Sequence, residues 1–389
     1  MRALTQQFAA RVGAFFGALF LVYGAALPYL PVLLDARGLD AAEIGLVSAV
    51  PMILRLVLTP AIALHADRRG DHRAVVIALS VLALAAILMV AVARGFWPIL
   101  LCVAAFQIAL QSIMPLIETI AMAGVRRHGH DYGRMRLVGS VTFIFATFAG
   151  AWLIERRGSD VVALMLIAAT ASTLAMAILL PMSGGDVRGR PRLDRTTAMR
   201  LASQRPVVLF LIAAGAVQAA HAVFYGFGVL HWRSAGIASG WIGALWSIGV
   251  LAEIVLFWWA AAVLRRIAAV DLIWIGAAAA VLRWTIMAFD PPLSLLVPLQ
   301  LLHGLTYGAS HLGAMHYIKG FVPEAQAGAA QALYSTATAG IGMGGAMILA
   351  GIAYREFAGL GYLAMATLAL ISLAAATALR RAASEPDRL

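Results

Sequence analysis

The chain has 389 residues, of which 62% are hydrophobic and only 12% charged, with a mean hydropathy of +0.90. A soluble domain carries about twice that charged fraction, and apolar runs of roughly 20 residues, enough to cross a bilayer as helices, recur along the whole length, so a water-soluble globular class is excluded. The single cysteine, Cys102, excludes an internal disulfide and any multi-cysteine metal site.

Twelve spans are predicted, at 11–34, 41–66, 73–93, 97–122, 134–154, 160–182, 206–230, 240–263, 268–289, 293–318, 327–353 and 359–380. The first is too long for a signal peptide, lacks a convincing cleavage site and runs at once into a second span, so it is expected to stay in the mature protein. Lys and Arg in short loops favour the cytoplasm. With both termini on that side, the cytoplasmic segments hold 21 of the 29 basic residues. The opposite loops hold six, Arg37, Arg94, Arg156, Arg157, Arg233 and Arg355, while Arg55 and Arg283 lie inside spans. A multi-pass protein of the bacterial inner (cytoplasmic) membrane is therefore expected. The net charge of +11 reflects this topology, and no nucleic-acid partner is implied.

Near the midpoint stands the longest polar stretch between spans, Ser183 to Pro206, with the Gly, Pro and Arg composition of a linker. It divides the chain into an N-terminal six-helix bundle (1–182), a cytoplasmic linker (183–205) and a C-terminal six-helix bundle (206–389). Shifting the sequence by about 195 residues, as a duplication near the midpoint would, lays "GRMRLVGS" (Gly133 to Ser140) on "GAAQALYS" (Gly328 to Ser335). Duplicated halves are a usual way to build a transporter. On this register Gln331 falls where the first half has Arg136. Glycine and alanine crowd the eleventh span, and small residues let helix backbones approach closely in lipid.

Between the second and third spans, "ALHADRRGDHR" (Ala63 to Arg73) resembles the cytoplasmic loop signature of the major facilitator superfamily, with Asp67, Arg68, Gly70 and Arg73 in place and Ala63 where that pattern has its first glycine. "YGRMRLVGS" is similar to the start of the fifth helix in the lactose permease and its relatives. In that family a glutamate lies 18 residues before the second arginine, and here that pair is Glu118 and Arg136. "LHGLTYGASHLGAMHYI" (Leu302 to Ile318) aligns with the corresponding permease helix and places His303 on the family's functional histidine. "VYGAALPYLPVLLDARGLDAAEIGLV" resembles the phenylpropionate permease branch. There are departures: Thr306 stands where the sugar permease has its proton-carrying glutamate, and Phe143 where it has a sugar-stacking tryptophan.

The resemblance implies an all-α membrane protein of two pseudo-symmetric six-helix bundles and proton-coupled import of a small organic solute by alternating access, with no cofactor and no enzymatic chemistry. It also implies a cytoplasmic gate latch built from Asp67, Arg68, Gly70 and Arg73.

An ionisable side chain within a span costs at least a few kcal/mol on insertion scales and normally faces the bundle interior and a partner. Glu118, Glu253, Arg55 and Arg283 are the clear cases. Glu118 and Arg136 flank a polar turn at equal distance, so an antiparallel hairpin brings them to similar depth, where they pair either to pack two helices or to handle a substrate. Glu253 lies near the middle of the eighth span, in an element that faces the fifth in the family's architecture. Arg283 is 20 residues before His303, and the permease family pairs an arginine and a histidine in this way. His303 and His311, eight apart, share one helical face, with His316 rotated away. Histidine titrates near neutral pH, so His303 and His311 are candidates for coupling, while a metal site is not expected because rings eight residues apart lie about 12 Å apart along the axis. Arg55 either steers anions or bridges helices, and Phe143, seven residues beyond Arg136, suits an aromatic ring.

The first choice of substrate is an aromatic carboxylate such as phenylpropionate, taken up with protons across the lipid bilayer by a monomer. A sugar or nucleoside symporter and a drug/proton antiporter are the alternatives.

Overall fold

The structure is a computed structural model that describes residues 2–181, 195–323 and 326–384; most of the expected linker therefore lies outside the described residues. All regular structure among the described residues is helical, as lipid requires of segments that must satisfy every backbone group internally.

Six long helices open the chain: α1 (Arg2–Ala36), α2 (Ala41–Arg69), α3 (His72–Val92), α4 (Phe96–His128), α5 (Tyr132–Arg157) and α6 (Val161–Leu179). Short polar turns separate them, and the acids in those turns have local duties. Asp40 and Glu43 form a reciprocal capping box at the start of α2, Asp71 accepts from Ala74 N at 2.9 Å at the start of α3, and Asp131 accepts from Arg134 N at 3.2 Å at the start of α5. Such caps satisfy backbone donors that a helix leaves open.

After the amphipathic α7 (Arg195–Ser203) come α8 (Arg205–Ala219), α9 (Ala222–Ser234), α10 (Ser239–Trp258), the short α11 (Ala260–Leu264) and α12 (Ala269–Met287). The span predicted at 293–318 is not one uniform helix. It consists of α13 (Leu293–Leu301), a π-helical turn (Gly304–Ala309) and α14 (Ser310–Phe321). A second π turn (Thr336–Gly340) joins α15 (Ala327–Ser335) to α16 (Ile341–Phe357), and α17 (Tyr362–Ser384) follows a short 3-10 turn (Ala358–Gly361). Ten stretches among the described residues are long and apolar enough to cross a membrane, and the last, Ala327–Ala382, is 56 residues long and turns back on itself. This is consistent with the twelve passes expected.

The chain divides into two compact units, one carrying the described residues of Met1–Arg190 with Ala238–Gly243, the other those of Pro191–Ile237 with Ala244–Leu389. In the first, α1 packs along α5 and α6, and α4 along α2 and α3. Glycine sets the α1–α5 approach: a Cβ on Gly24 would stand 2.5 Å from the Phe143 carbonyl oxygen, so the two backbones nearly touch. In the second, α12 packs against α14, α17 and the first π turn, and α8 packs against α17 and the second π turn.

Among the described residues, two that are not glycine hold positive φ, Asp290 and Ala358, both at 48°. They meet at one place, because Gly359 lies against the Asp290 carboxylate and the His231 ring, whose Nε2 bonds Asp290 Oδ1 at 2.6 Å.

Candidate functional site

The second unit buries a connected polar cluster in its apolar interior. Its root is Arg283 of α12, which has no solvent exposure. The guanidinium donates through Nη1 to His303 Nδ1 at 2.9 Å and to Thr306 Oγ1 at 3.1 Å, and through Nη2 to Gln300 Oε1 at 2.6 Å. Ring faces cover it, with Trp284 4.4 Å and Phe224 5.0 Å from the guanidinium carbon, so the aromatic quadrupoles help replace its lost hydration. His303 passes the chain on: its Nε2 lies 2.9 Å from Glu253 Oε1 on α10. The two helices meet this closely because of a small residue, since a Cβ on Gly249, one turn before Glu253, would touch the His303 ring at 3.3 Å.

The donor set decides the protonation pattern. A neutral imidazole has one donor and one acceptor nitrogen. Arg283 can only donate, so Nδ1 of His303 must accept, and Nε2 carries the hydrogen and gives it to Glu253. The same logic orders the other branch. His221 Nδ1 faces the Val217 and Gln218 carbonyls at 3.0 and 3.2 Å, so it donates, and His221 Nε2 accepts from the Thr306 hydroxyl at 3.0 Å. Thr306, where the resemblance has a glutamate, is thus fully buried and wired between Arg283 and His221. Glu253, with 19% of its side chain exposed against 7% for His303, is the acid at the open end of this chain.

Downstream, the π turn carries a stack of rings. Tyr307 lies parallel to His303 at 5.6 Å on one side and to His311 at 6.1 Å on the other, each with 17° between the planes. His311 Nδ1 is 2.9 Å from the Tyr334 hydroxyl. His316 points outward and is exposed.

In the first unit, α4 runs to His128 and ends at a left-handed Gly129 and α5 starts at Tyr132, so the hairpin turns at 129–131 rather than at position 127, midway between Glu118 and Arg136, and Glu118 lies further from the turn than Arg136. Between the acid and the base stands Tyr132, whose hydroxyl donates to Glu118 Oε1 at 3.4 Å and lies in electrostatic range of Arg136. Arg136 makes no ion pair among the described residues and instead lies over the Phe20 ring at 3.9 Å, with Phe16 at 5.9 Å. The aromatic partners of Arg136 therefore come from α1. Phe143 is buried where its backbone meets Gly24. Arg55 donates to Gln111 on α4.

The loop signature is also placed. Asp67 Oδ1 is 2.9 Å from His72 Nε2, Gly70 adopts the left-handed cap of α2 with φ 67°, Arg73 donates to the Ile178 carbonyl at 2.6 Å, and Arg68 is exposed. Among the described residues no three His, Cys, Asp or Glu side chains gather as a metal site.

Sequence reasoning brought forward Arg283, His303 and Glu253 but passed over His221, Gln300 and Tyr132. His221 carried the same signal as the others, an ionisable group in an apolar span, and Gln300 the weaker one of a lone amide there.

The chain matches the MFS_1-like family over residues 11–363. It is 31% identical over 366 residues to a protein of Escherichia coli (strain K12) named probable 3-phenylpropionic acid transporter, covering 92% of this chain and 93% of that one. It is 28% identical over 334 residues to the maltose permease of Geobacillus stearothermophilus, covering 84% and 83%. Among solved structures, the nucleoside transporter NupG superposes with a TM-score of 0.83 at 18% identity over 96% of this chain and 98% of that one, a likeness of fold. A chain of apolar helices that buries an arginine-rooted polar network, matched over nearly all its length by such relatives, belongs to the MFS_1-like family of major facilitator transporters.

Proposed function

We propose that this protein is a proton-coupled importer of a small aromatic carboxylate, phenylpropionate being the first choice, working by alternating access in the bacterial inner membrane with both termini cytoplasmic. The observation that carries this reading is the directed chain from Arg283 through His303 to Glu253. With Glu253 ionised, the acid and Arg283 cancel. With Glu253 protonated, the cluster holds one uncompensated positive charge in a low-dielectric interior, where charges interact strongly. A carboxylate restores neutrality, so proton and anion favour each other's binding and cross together. His303 serves as the fixed neutral bridge. In the first unit, Arg136, which pairs with no carboxylate among the described residues and is set against Phe20 and Phe16, offers a second cation beside aromatic rings, with Glu118 and Tyr132 adjusting its field. His311 and Arg55 act in support, the first through the ring stack and the second by tying α2 to α4. Asp67, Arg68, Gly70 and Arg73 form the cytoplasmic latch.

The relative named for 3-phenylpropionic acid supports this choice. The maltose permease supports a sugar as the second reading, under which Glu253 and His303 receive hydroxyl groups.

The test is uptake of labelled phenylpropionate, maltose and a nucleoside into vesicles under an imposed pH gradient, comparing the native protein with Glu253→Gln, Arg136→Ala and Glu118→Gln. Phenylpropionate uptake that is stimulated by the gradient and lost in Glu253→Gln is expected. Unchanged transport in Glu253→Gln and Arg136→Ala would remove both assignments.

A further inference from the structure

Away from this network, α2 and α3 of the first unit enclose a groove of about 560 Å³. Its floor is apolar, formed by Leu58 and Ile62 on α2 and Leu79 and Leu82 on α3, and its end is basic, formed by His65 and Arg69. Spacings of three and four put Leu58, Ile62, His65 and Arg69 along one face of α2. Along α3 the apolar lining runs from Ala74 to Leu82, a rise of about 12 Å that fits within the hydrocarbon depth of a single leaflet, about 15 Å. His65 and Arg69 are both exposed, and neither forms a hydrogen bond or ion pair among the described residues. The nearby acids are engaged elsewhere: Asp67 bonds His72 at 2.9 Å and Asp71 caps α3 at 2.9 Å. Arg73 is spent on the Ile178 carbonyl. Within Ala63 to Arg73, His65 and Arg69 thus stand as two donors, one turn apart, at the mouth of an apolar trough, while Arg68 is exposed outside the groove lining. The basic asymmetry of the loops assigns this end to the cytoplasm, the side whose leaflet carries anionic lipid.

We propose that this groove binds an anionic phospholipid, its phosphate held between His65 and Arg69 and one acyl chain laid along Leu58, Ile62, Leu79 and Leu82. Charge complementarity at the mouth and the apolar floor behind it select a lipid over a soluble anion, which would gain nothing from the apolar part. The site is independent of the transported solute and of the Glu253 network.

The experiment is lipid retention by the purified full-length protein in detergent, read by native mass spectrometry, with phosphatidylglycerol and phosphatidylcholine of identical acyl chains. The native protein is expected to retain phosphatidylglycerol with about tenfold preference, the scale set by one or two basic groups at an anionic headgroup. His65→Gln with Arg69→Gln is expected to bring phosphatidylglycerol down to the phosphatidylcholine level, and Ala78→Trp, on the groove wall, to lower both lipids. Arg134→Gln, an exposed arginine elsewhere, should change neither. Thermal unfolding of each variant checks that it is folded, and the glutamine pair alone suffices if the tryptophan does not fold. No preference in the native protein, full phosphatidylglycerol retention by the glutamine pair, or equal competition by soluble glycerophosphoglycerol each overturns the proposal.

Discussion

If Arg283 occupies the acceptor nitrogen of His303, the imidazole cannot take up a proton there while the network stands, and the proton of the proposed coupling falls to Glu253 within this cluster. His303→Gln separates the two possibilities. Its amide offers an oxygen to Arg283 and an N–H to Glu253, the same pattern as the imidazole, but it does not titrate. The amide cannot reproduce both the 2.9 Å contact to Arg283 and the 2.9 Å contact to Glu253 in ideal geometry. A loss of about 1–2 kcal/mol of hydrogen bonding is expected, which lowers the transport rate roughly 5- to 30-fold. Coupling itself should persist. A gradient of two pH units stores about 2.7 kcal/mol per proton, at about 1.36 kcal/mol per unit, and so drives up to about 100-fold accumulation with one proton per anion. The assay compares the initial rate of labelled phenylpropionate uptake with and without that gradient, corrected for protein-free vesicles because the neutral acid permeates unaided, and measures exchange of internal for external substrate at equal pH. His303→Gln should keep the stimulation at reduced rate, whereas Glu253→Gln should lose the stimulation and keep exchange. If His303→Gln exchanges substrate but ignores the gradient, the imidazole carries the proton and the reasoning from the donor set is refuted.

Arg283→Lys keeps the charge but not the fork. One ammonium cannot meet Gln300, His303 and Thr306 together, so at least one bond from a charged donor, about 1.5–3 kcal/mol, should go, and the apparent melting temperature in detergent should fall; an unchanged value would show that the guanidinium holds nothing. Gly342→Ala places a Cβ 2.0 Å from the Ala337 carbonyl oxygen, part of rigid backbone at the second π turn, and should destabilise by about 3 kcal/mol or more, read as lost expression or early melting. Ala358→Gly removes a side chain from a backbone conformation with φ 48° and ψ −124°. Relief of about 1–3 kcal/mol of strain outweighs the roughly 0.4–1 kcal/mol of added unfolded-state freedom, so melting should move upward, and a drop would show that Ala358 is unstrained.

The helices and the intramembrane charges were legible for one reason: hydrocarbon penalises exposed backbone and ionised groups so heavily that each leaves a mark in the sequence. Arg283 and Glu253 stand out in this way, and His303 by its alignment with the permease helix and its titration near neutral pH. Their wiring does not, because it depends on Gly249 and on tertiary approach between α10, α12 and the π turn. Hairpin arithmetic placed Glu118 and Arg136 at similar depth, but Tyr132 stands between them, and a phenol at a helix start carries no pattern that announces this. The rings over Arg136 belong to Phe16 and Phe20, more than 110 residues earlier, brought there by glycine-mediated contact of α1 with α5. Position seven beyond the arginine, by contrast, led to Phe143, whose surroundings are set by Gly24. The π turns were invisible to periodicity, since their apolar spacing is within the scatter of an ordinary helix.

The wide turn at Gly304–Ala309 has a mechanical implication. A π turn holds one residue more than the α-helical path it replaces, with bonds running from i to i+5. Were it to tighten to ordinary pitch, everything beyond it would swivel by about 100° and advance about 1.5 Å, while His303 above it stayed tethered to Arg283. Such a screw-like step would carry His311 away from Tyr334 and, because Thr306 lies within the turn, would also displace its hydroxyl from Arg283 and His221. The turn thus joins the charged hub directly to the half-helix below it, so that rotation of α14 and the hydrogen bonds of Arg283 would be coupled through Thr306.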